Sequence, residues 1–363
     1  MSSSLSKRWV VAIGFAAGGM ALLGWLVCKT GPMLLCTAFE RAPRWIAIPL
    51  LIEGARIAVE AWGTRRLYCR PIPFTALLRA GLIGYAVAAL APAGRATAEG
   101  VKAALLARHS RVSDTAAAAT TVQSSSLAAI SLFSCGCAAC ALVVSPVLAW
   151  TFALQAAVTT AGSLFVRGVA RTSHLGRLFA RFAPRAGAML DSLRSHAQRH
   201  RTAQPLMALS MSRALQLGAY WTILRAVTGH AGFASSLMTF GTALVGGTLG
   251  DSVPVQLGVS DLTFATAAHA LGIPVEDAVA IALVAHAVQM AWIAIGLVAP
   301  LVWRDYRRPL RQSSPRKSRR HPPERGGDCM ALCPAIAPSV VLAPGGSPAA
   351  DPDGRDLDLR IRR

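Results

Sequence analysis

The sequence predicts an all-α, polytopic membrane protein of about six spanning helices and two re-entrant hairpins, arranged as an inverted repeat. Three observations predict it. The 363 residues are 53% hydrophobic and only 15% charged, against about 45–50% and about 25% in an ordinary soluble domain. The apolar residues come in long runs separated by arginine-rich stretches, which is how membrane spans and cytoplasmic loops alternate. Two of the runs are short and are interrupted by proline and glycine, and the two interruptions correspond.

The net charge of +20 sits between the apolar runs and in the C-terminal stretch. That distribution suits cytoplasmic loops and anionic lipid headgroups, not nucleic acid. The eight cysteines have no disulfide-framework spacing and read as small apolar residues.

Taken in order, Arg8 precedes a first apolar run, Trp9 to Cys28, which is longer than a signal-peptide core and lacks an A-x-A cleavage site. It reads as a retained span with the amino terminus inside. Trp45 to Trp62 is the second span and carries Glu53, Arg56 and Glu60. Their spacing of three and four puts an acid-base-acid ladder on one helix face, which must look into the bundle and not at lipid. Arg65, Arg66, Arg70 and Arg79 then mark the cytoplasmic side.

Thr75 to Leu90 is too short to span comfortably, and the break Ala91-Pro92-Ala93-Gly94-Arg95 separates it from a helix over Thr97 to Arg108. Basic residues flank both ends, so this unit predicts a re-entrant hairpin entering from the cytoplasm. Asp114 caps a span running through Val143, Ser145-Pro146 make an external turn, and Val147 to Phe165 return inside. Residues 167–204 interleave arginines with Leu175, Phe179, Phe182 and Leu190, as an interfacial helix would.

Met207 to Val227, with Arg213, Gln216 and Arg225, crosses outward. A second short run, Phe233 to Gly250, leads into Val253-Pro254-Val255-Gln256-Leu257-Gly258-Val259-Ser260-Asp261 and an amphipathic piece, Leu262 to Leu271. A proline there removes a backbone donor, and Gly258 relaxes the chain, so the freed polar groups need protein or a watery cavity around them. No arginine or lysine lies nearby, so this second hairpin enters from outside. Glu276 to Trp303 is the last span. Its end at Arg304 places the carboxyl terminus in the cytoplasm, and residues 306–363 read as a disordered tail.

Pro92 and Pro254, Glu99 and Asp261, Gly84 and Gly246, and Asp114 and Glu276 each stand 162 positions apart. The halves are thus about 45–143 and 207–303, within a membrane domain of residues 1–305. Opposite loop charge gives them opposite orientation. Inverted repeats with discontinuous helices are a transporter architecture, with the site near the midplane.

At these residues the chain resembles the transmembrane region of the lysylphosphatidylglycerol synthase family, often described as flippase-like. The P-G-R-x-G-E-like motif of that family corresponds to Pro92 through Glu99. Its P-G-G-x-G-x-x-E-like motif corresponds to Pro254 through Asp261, followed by Leu271-Gly272-Ile273-Pro274. The match departs at Val255, Gln256 and Asp261, and Val122 to Ser126 replace an arginine-aspartate pair. The resemblance implies a free-standing, inner-membrane member of the kind linked to glycolipid, isoprenoid or hopanoid metabolism, without the soluble aminoacyltransferase domain that some members carry.

The expected substrate-binding residues are Pro92, Arg95, Glu99 and Lys102 in the first hairpin and Pro254, Gly258 and Asp261 in the second. An ion pair is expected among Glu53, Arg56 and Arg213, with Glu53 to Arg213 preferred. No G-x-S-x-G, H-E-x-x-H or P-loop is present, so no enzyme, cofactor or metal is expected. Cys135, Cys137 and Cys140 read as helix packing. The expected partners are membrane lipids with anionic headgroups. The expected activity is movement of a lipid or lipid-linked headgroup between leaflets. Two alternatives stand beside it: a scaffold for a lipid-modifying enzyme, which would use the basic loop, and a proton-coupled small-solute transporter using His269, His286 and Gln289.

Overall fold

The computed structural model describes residues 24, 25, 28, 33, 45–68, 72–91, 94–107, 109–110, 112–171, 203–253 and 256–302. Most of the first predicted span, Pro92, Pro254, most of the basic loop and the tail lie outside the described residues. The chain divides into two units, Met1–Leu310 and Arg311–Arg363, and the described helices all belong to the first.

The described residues form nine helices and no strand. They are α1 (Ala47–Thr64), α2 (Phe74–Leu90), α3 (Gly94–Leu106), α4 (Val112–Ala141) and α5 (Pro146–Arg171), then α6 (Ala203–Thr228), α7 (Phe233–Leu249), α8 (Val259–Leu271) and α9 (Val275–Val302). Asp114–Ala141, Pro146–Gly168 and Val275–Pro300 are long and apolar enough to cross a membrane. Helices α2 and α7, at 17 residues each, rise only about 25 Å, short of a hydrocarbon core about 30 Å thick. Helix α4 begins before Asp114, which sits in its first turn instead of capping it.

The helices pair in a regular way. Helices α1 and α6 pack together; α2 packs on α3 and on α9, while α7 packs on α8 and on α4. The hairpins match in length as well, since α3 and α8 each have 13 residues. Each hairpin therefore leans on the last helix of the other half.

Small residues set these close approaches, as they do where lipid supplies no hydrophobic drive between helices. A Cβ on Gly63 of α1 would strike Ala208 of α6, and one on Gly296 of α9 would strike the Leu82 carbonyl of α2. Helices α4 and α5 are joined by Ser131 Oγ, which donates to the Ala156 carbonyl at 3.1 Å, and Ser163 Oγ, which donates to the Ser124 carbonyl at 2.8 Å. On the outer face of α5, Trp150, Leu154, Val158 and Phe165 are exposed. An apolar stripe of that size facing outward is what a lipid-facing helix presents.

Candidate functional site in the helix-lined cavity

The charged ladder on α1 forms as its spacing requires. Arg56 Nε donates to Glu53 Oε2 at 2.9 Å, Arg56 Nη2 donates to Glu53 Oε1 at 2.7 Å, and Arg56 Nη1 donates to Glu60 Oε1. The guanidinium also lies 5.5 Å from the Tyr85 ring centroid, a cation-π distance. Glu53 and Arg56 are both 8% exposed, so the fork geometry compensates charges that would otherwise be expensive to bury. Ser212 Oγ of α6 donates to Glu60 Oε1 at 2.7 Å and ties the ladder to the facing helix.

The expected Glu53 to Arg213 pair does not form. Glu53 is taken bidentately by Arg56, one turn along its own helix. Arg213 Nη1 instead donates to Gln216 Oε1 at 2.7 Å and Nη2 to Ser126 Oγ at 3.4 Å.

In the first hairpin, Lys102 Nζ donates to Glu99 Oε1 at 2.7 Å. The lysine stem lies against Gly84 of α2, where a Cβ would collide with it. Arg95, in the first turn of α3, has a different partner. Its Nε lies 3.5 Å from Asp251 Oδ1, in the 3-10 turn Gly250–Ser252 that ends α7. The two helix breaks thus meet through one ion pair.

The second break is held by local hydrogen bonds. Gln256 adopts a left-handed backbone, with φ of 59°, which is unusual for a residue with a Cβ. Its Nε2 donates to the Gly247 carbonyl at 3.2 Å and its amide to the Val253 carbonyl at 2.9 Å. Gly258, with φ of 77°, is the N-cap of α8 and takes a conformation that glycine adopts freely. Asp261, three residues on, reaches back so that its Oδ2 accepts the Gly258 amide at 2.8 Å. That contact is the carboxylate half of a capping box.

Asp261 is fully buried and does not line the cavity. Its Oδ2 lies 3.3 Å from His286 Nε2 of α9, and its Oδ1 has no hydrogen-bond partner. It positions the start of α8 and the His286 ring. Gly258 likewise acts through the backbone. Of the three histidine-region residues, His286 and Gln289 line the cavity, whereas His269 is exposed.

The cavity itself has a volume of about 280 Å³ and takes side chains from every helix except α5. Its charged lining is Glu53, Arg56, Glu60, Arg95, Glu99, Lys102, Arg213 and Asp251. Arg95, Glu99 and Lys102 from the first hairpin, and the Glu53, Arg56 and Arg213 group, are therefore brought to one space. Asp251 was missed in the sequence. The one signal available for it is that an ionisable residue inside an apolar run is a functional candidate by default. Ser126 and Ser212 carried no such signal.

The cysteine cluster of α4 divides between faces. Cys137 is buried and its Sγ contacts the Leu237 carbonyl at 3.2 Å, while Cys135 is exposed. Among the described residues, no group of three histidine, cysteine or acidic side chains could hold a metal ion.

Apolar helices with lipid-facing stripes around a charged interior cavity define an integral membrane protein. The family model for the lysylphosphatidylglycerol synthase TM region matches residues 9–297. The chain belongs to that family, whose membrane region is associated with lipid handling. No curated protein matches it.

Proposed function

We propose that the protein takes a lipid headgroup into the cavity and moves it between leaflets of the inner membrane, while the acyl chains stay in hydrocarbon. The observation that carries this reading is that both helix breaks open onto one charged cavity and touch there, through Arg95 and Asp251. Polar lining inside an apolar bundle supplies what a headgroup needs and lipid cannot. The two halves act as inverted repeats, with the hairpins as alternating elements. The reciprocal packing of α2 on α9 and α7 on α4, with matched hairpin lengths, supports that symmetry. Arginine-rich flanks put both termini in the cytoplasm.

The test is reconstitution into vesicles that carry lipid labelled on an acyl chain. A membrane-impermeant reductant should bleach the label in both leaflets when the protein is present and in the outer leaflet alone when it is absent. Folded protein that leaves the inner leaflet protected, with or without an imposed pH gradient, would overturn the reading.

A second reading, proton-coupled movement of a small solute, is favoured by His286, which faces the cavity and contacts Asp261 at 3.3 Å. Solute uptake that follows a pH gradient and stops with His286→Ala is its signature.

A further inference from the structure

The charges that line the cavity are matched unevenly. Among the described residues, four carboxylates face four cations. Glu99 is bridged by Lys102 and Asp251 by Arg95, one to one. Arg56 alone serves both Glu53 and Glu60, so that ladder keeps one negative charge. The compensating positive charge is Arg213, which has no carboxylate within ion-pair distance among the described residues. Among the described residues its hydrogen bonds go to the neutral Gln216 and Ser126, and it is 8% exposed.

A guanidinium has five N–H donors in a planar fork, and two of them are used here, one in a bond of 3.4 Å. Burying such a group without a direct anionic partner is costly. Arg213 itself lines the cavity. Nearby, Glu60 Oε1 holds Arg56 and Ser212, while among the described residues no bond to its Oε2 is found. The cavity thus presents an unbridged cation and an unused carboxylate oxygen.

We propose that Arg213, with Gln216 and Ser126, is the oxyanion subsite of the cavity, and that its ligand is a singly charged phosphodiester. This deepens the headgroup reading above and rests on it. The lining charges already balance, so an entering monoanion leaves the cavity one charge negative. A headgroup that carries its own ammonium restores neutrality, with Glu60 as the acceptor of that cation. A phosphate dianion worsens the imbalance. The subsite therefore favours a zwitterionic phosphodiester over a purely anionic one, and either over free phosphate.

The test is binding to the purified full chain in detergent, with phosphatidylethanolamine, phosphatidylglycerol, diacylglycerol and inorganic phosphate as probes. Phosphatidylethanolamine should bind most tightly, then phosphatidylglycerol. Arg213→Gln should weaken phosphatidylethanolamine about tenfold or more, the size of a lost charged hydrogen bond, and Arg213→Lys should recover part of that. Equal binding of diacylglycerol and phosphatidylethanolamine by the native chain overturns the proposal, whatever the variants do. Inorganic phosphate binding as tightly as either phospholipid also overturns it, in favour of a free-anion site. Leaflet exchange measured on the same variants separates the two claims. Exchange that persists with unchanged lipid preference in Arg213→Gln removes the subsite and leaves translocation standing. Arg213-dependent binding without exchange in the native chain does the reverse.

Discussion

Arg95 Nε and Asp251 Oδ1 lie 3.5 Å apart, and this contact joins the end of the first structural break to the start of the second, far apart in the chain. Arg95 belongs to the first turn of α3 and Asp251 to the turn that closes α7. Any movement of one hairpin against the other must stretch or part this pair.

Because the two side chains are 28% and 35% exposed, the pair contributes up to about 1 kcal/mol. That sets a ceiling of about fivefold on the balance between joined and parted hairpins. Arg95→Gln or Asp251→Asn should change the leaflet-exchange rate within that range and leave thermal stability nearly unchanged. The exchanged pair, Arg95→Asp with Asp251→Arg, should return the rate towards the native value. Identical rates in all four proteins would show that the contact has no part in the cycle.

Removing Glu53 should be far more damaging. Arg56 is buried against it in a bidentate bond, and breaking a buried pair from one side costs about 3–5 kcal/mol. Glu53→Ala should lower stability by an amount of that order, reduced somewhat because Glu60 still contacts Arg56. Denaturation in detergent, followed by circular dichroism, measures it.

Asp261 should behave as a cap. Asp261→Ala leaves the Gly258 amide without its acceptor and should cost about 1–3 kcal/mol. Asp261→Asn retains a side-chain oxygen and should cost less. Equal losses from both would show that the carboxylate charge matters more than the cap.

Two glycines offer opposite outcomes. Gly296→Ala puts a methyl against the Leu82 backbone carbonyl, which cannot yield as a side chain could. It should destabilise by about 1–3 kcal/mol, as overpacking does. Gly136→Ala meets nothing within 4 Å and should stabilise by about 0.5–1 kcal/mol through helix propensity. Melting temperatures of the two variants check both signs.

The all-helical membrane character, the approximate helix positions and the local ion pairs were legible in the sequence. Glu53, Arg56 and Glu60 are three and four residues apart, as are Glu99 and Lys102, and a helix makes such residues neighbours whatever surrounds it. The breaks near Pro92 and Pro254 were legible because proline and glycine act on their own backbone. Pairings between helices were not. Arg213 was expected to take Glu53, but Arg56 lies closer along the same helix and claims it first. Asp251 meets Arg95, and His286 meets Asp261, only because packing sets the register of one helix against another. Small residues such as Gly63, Gly84 and Gly296 decide that register by letting backbones or a lysine stem approach. The sequence by itself determined an apolar helical protein with charges spaced along its helices. The tertiary structure decided which charges share the cavity, and left Arg213 as the cation there that, among the described residues, no carboxylate bridges.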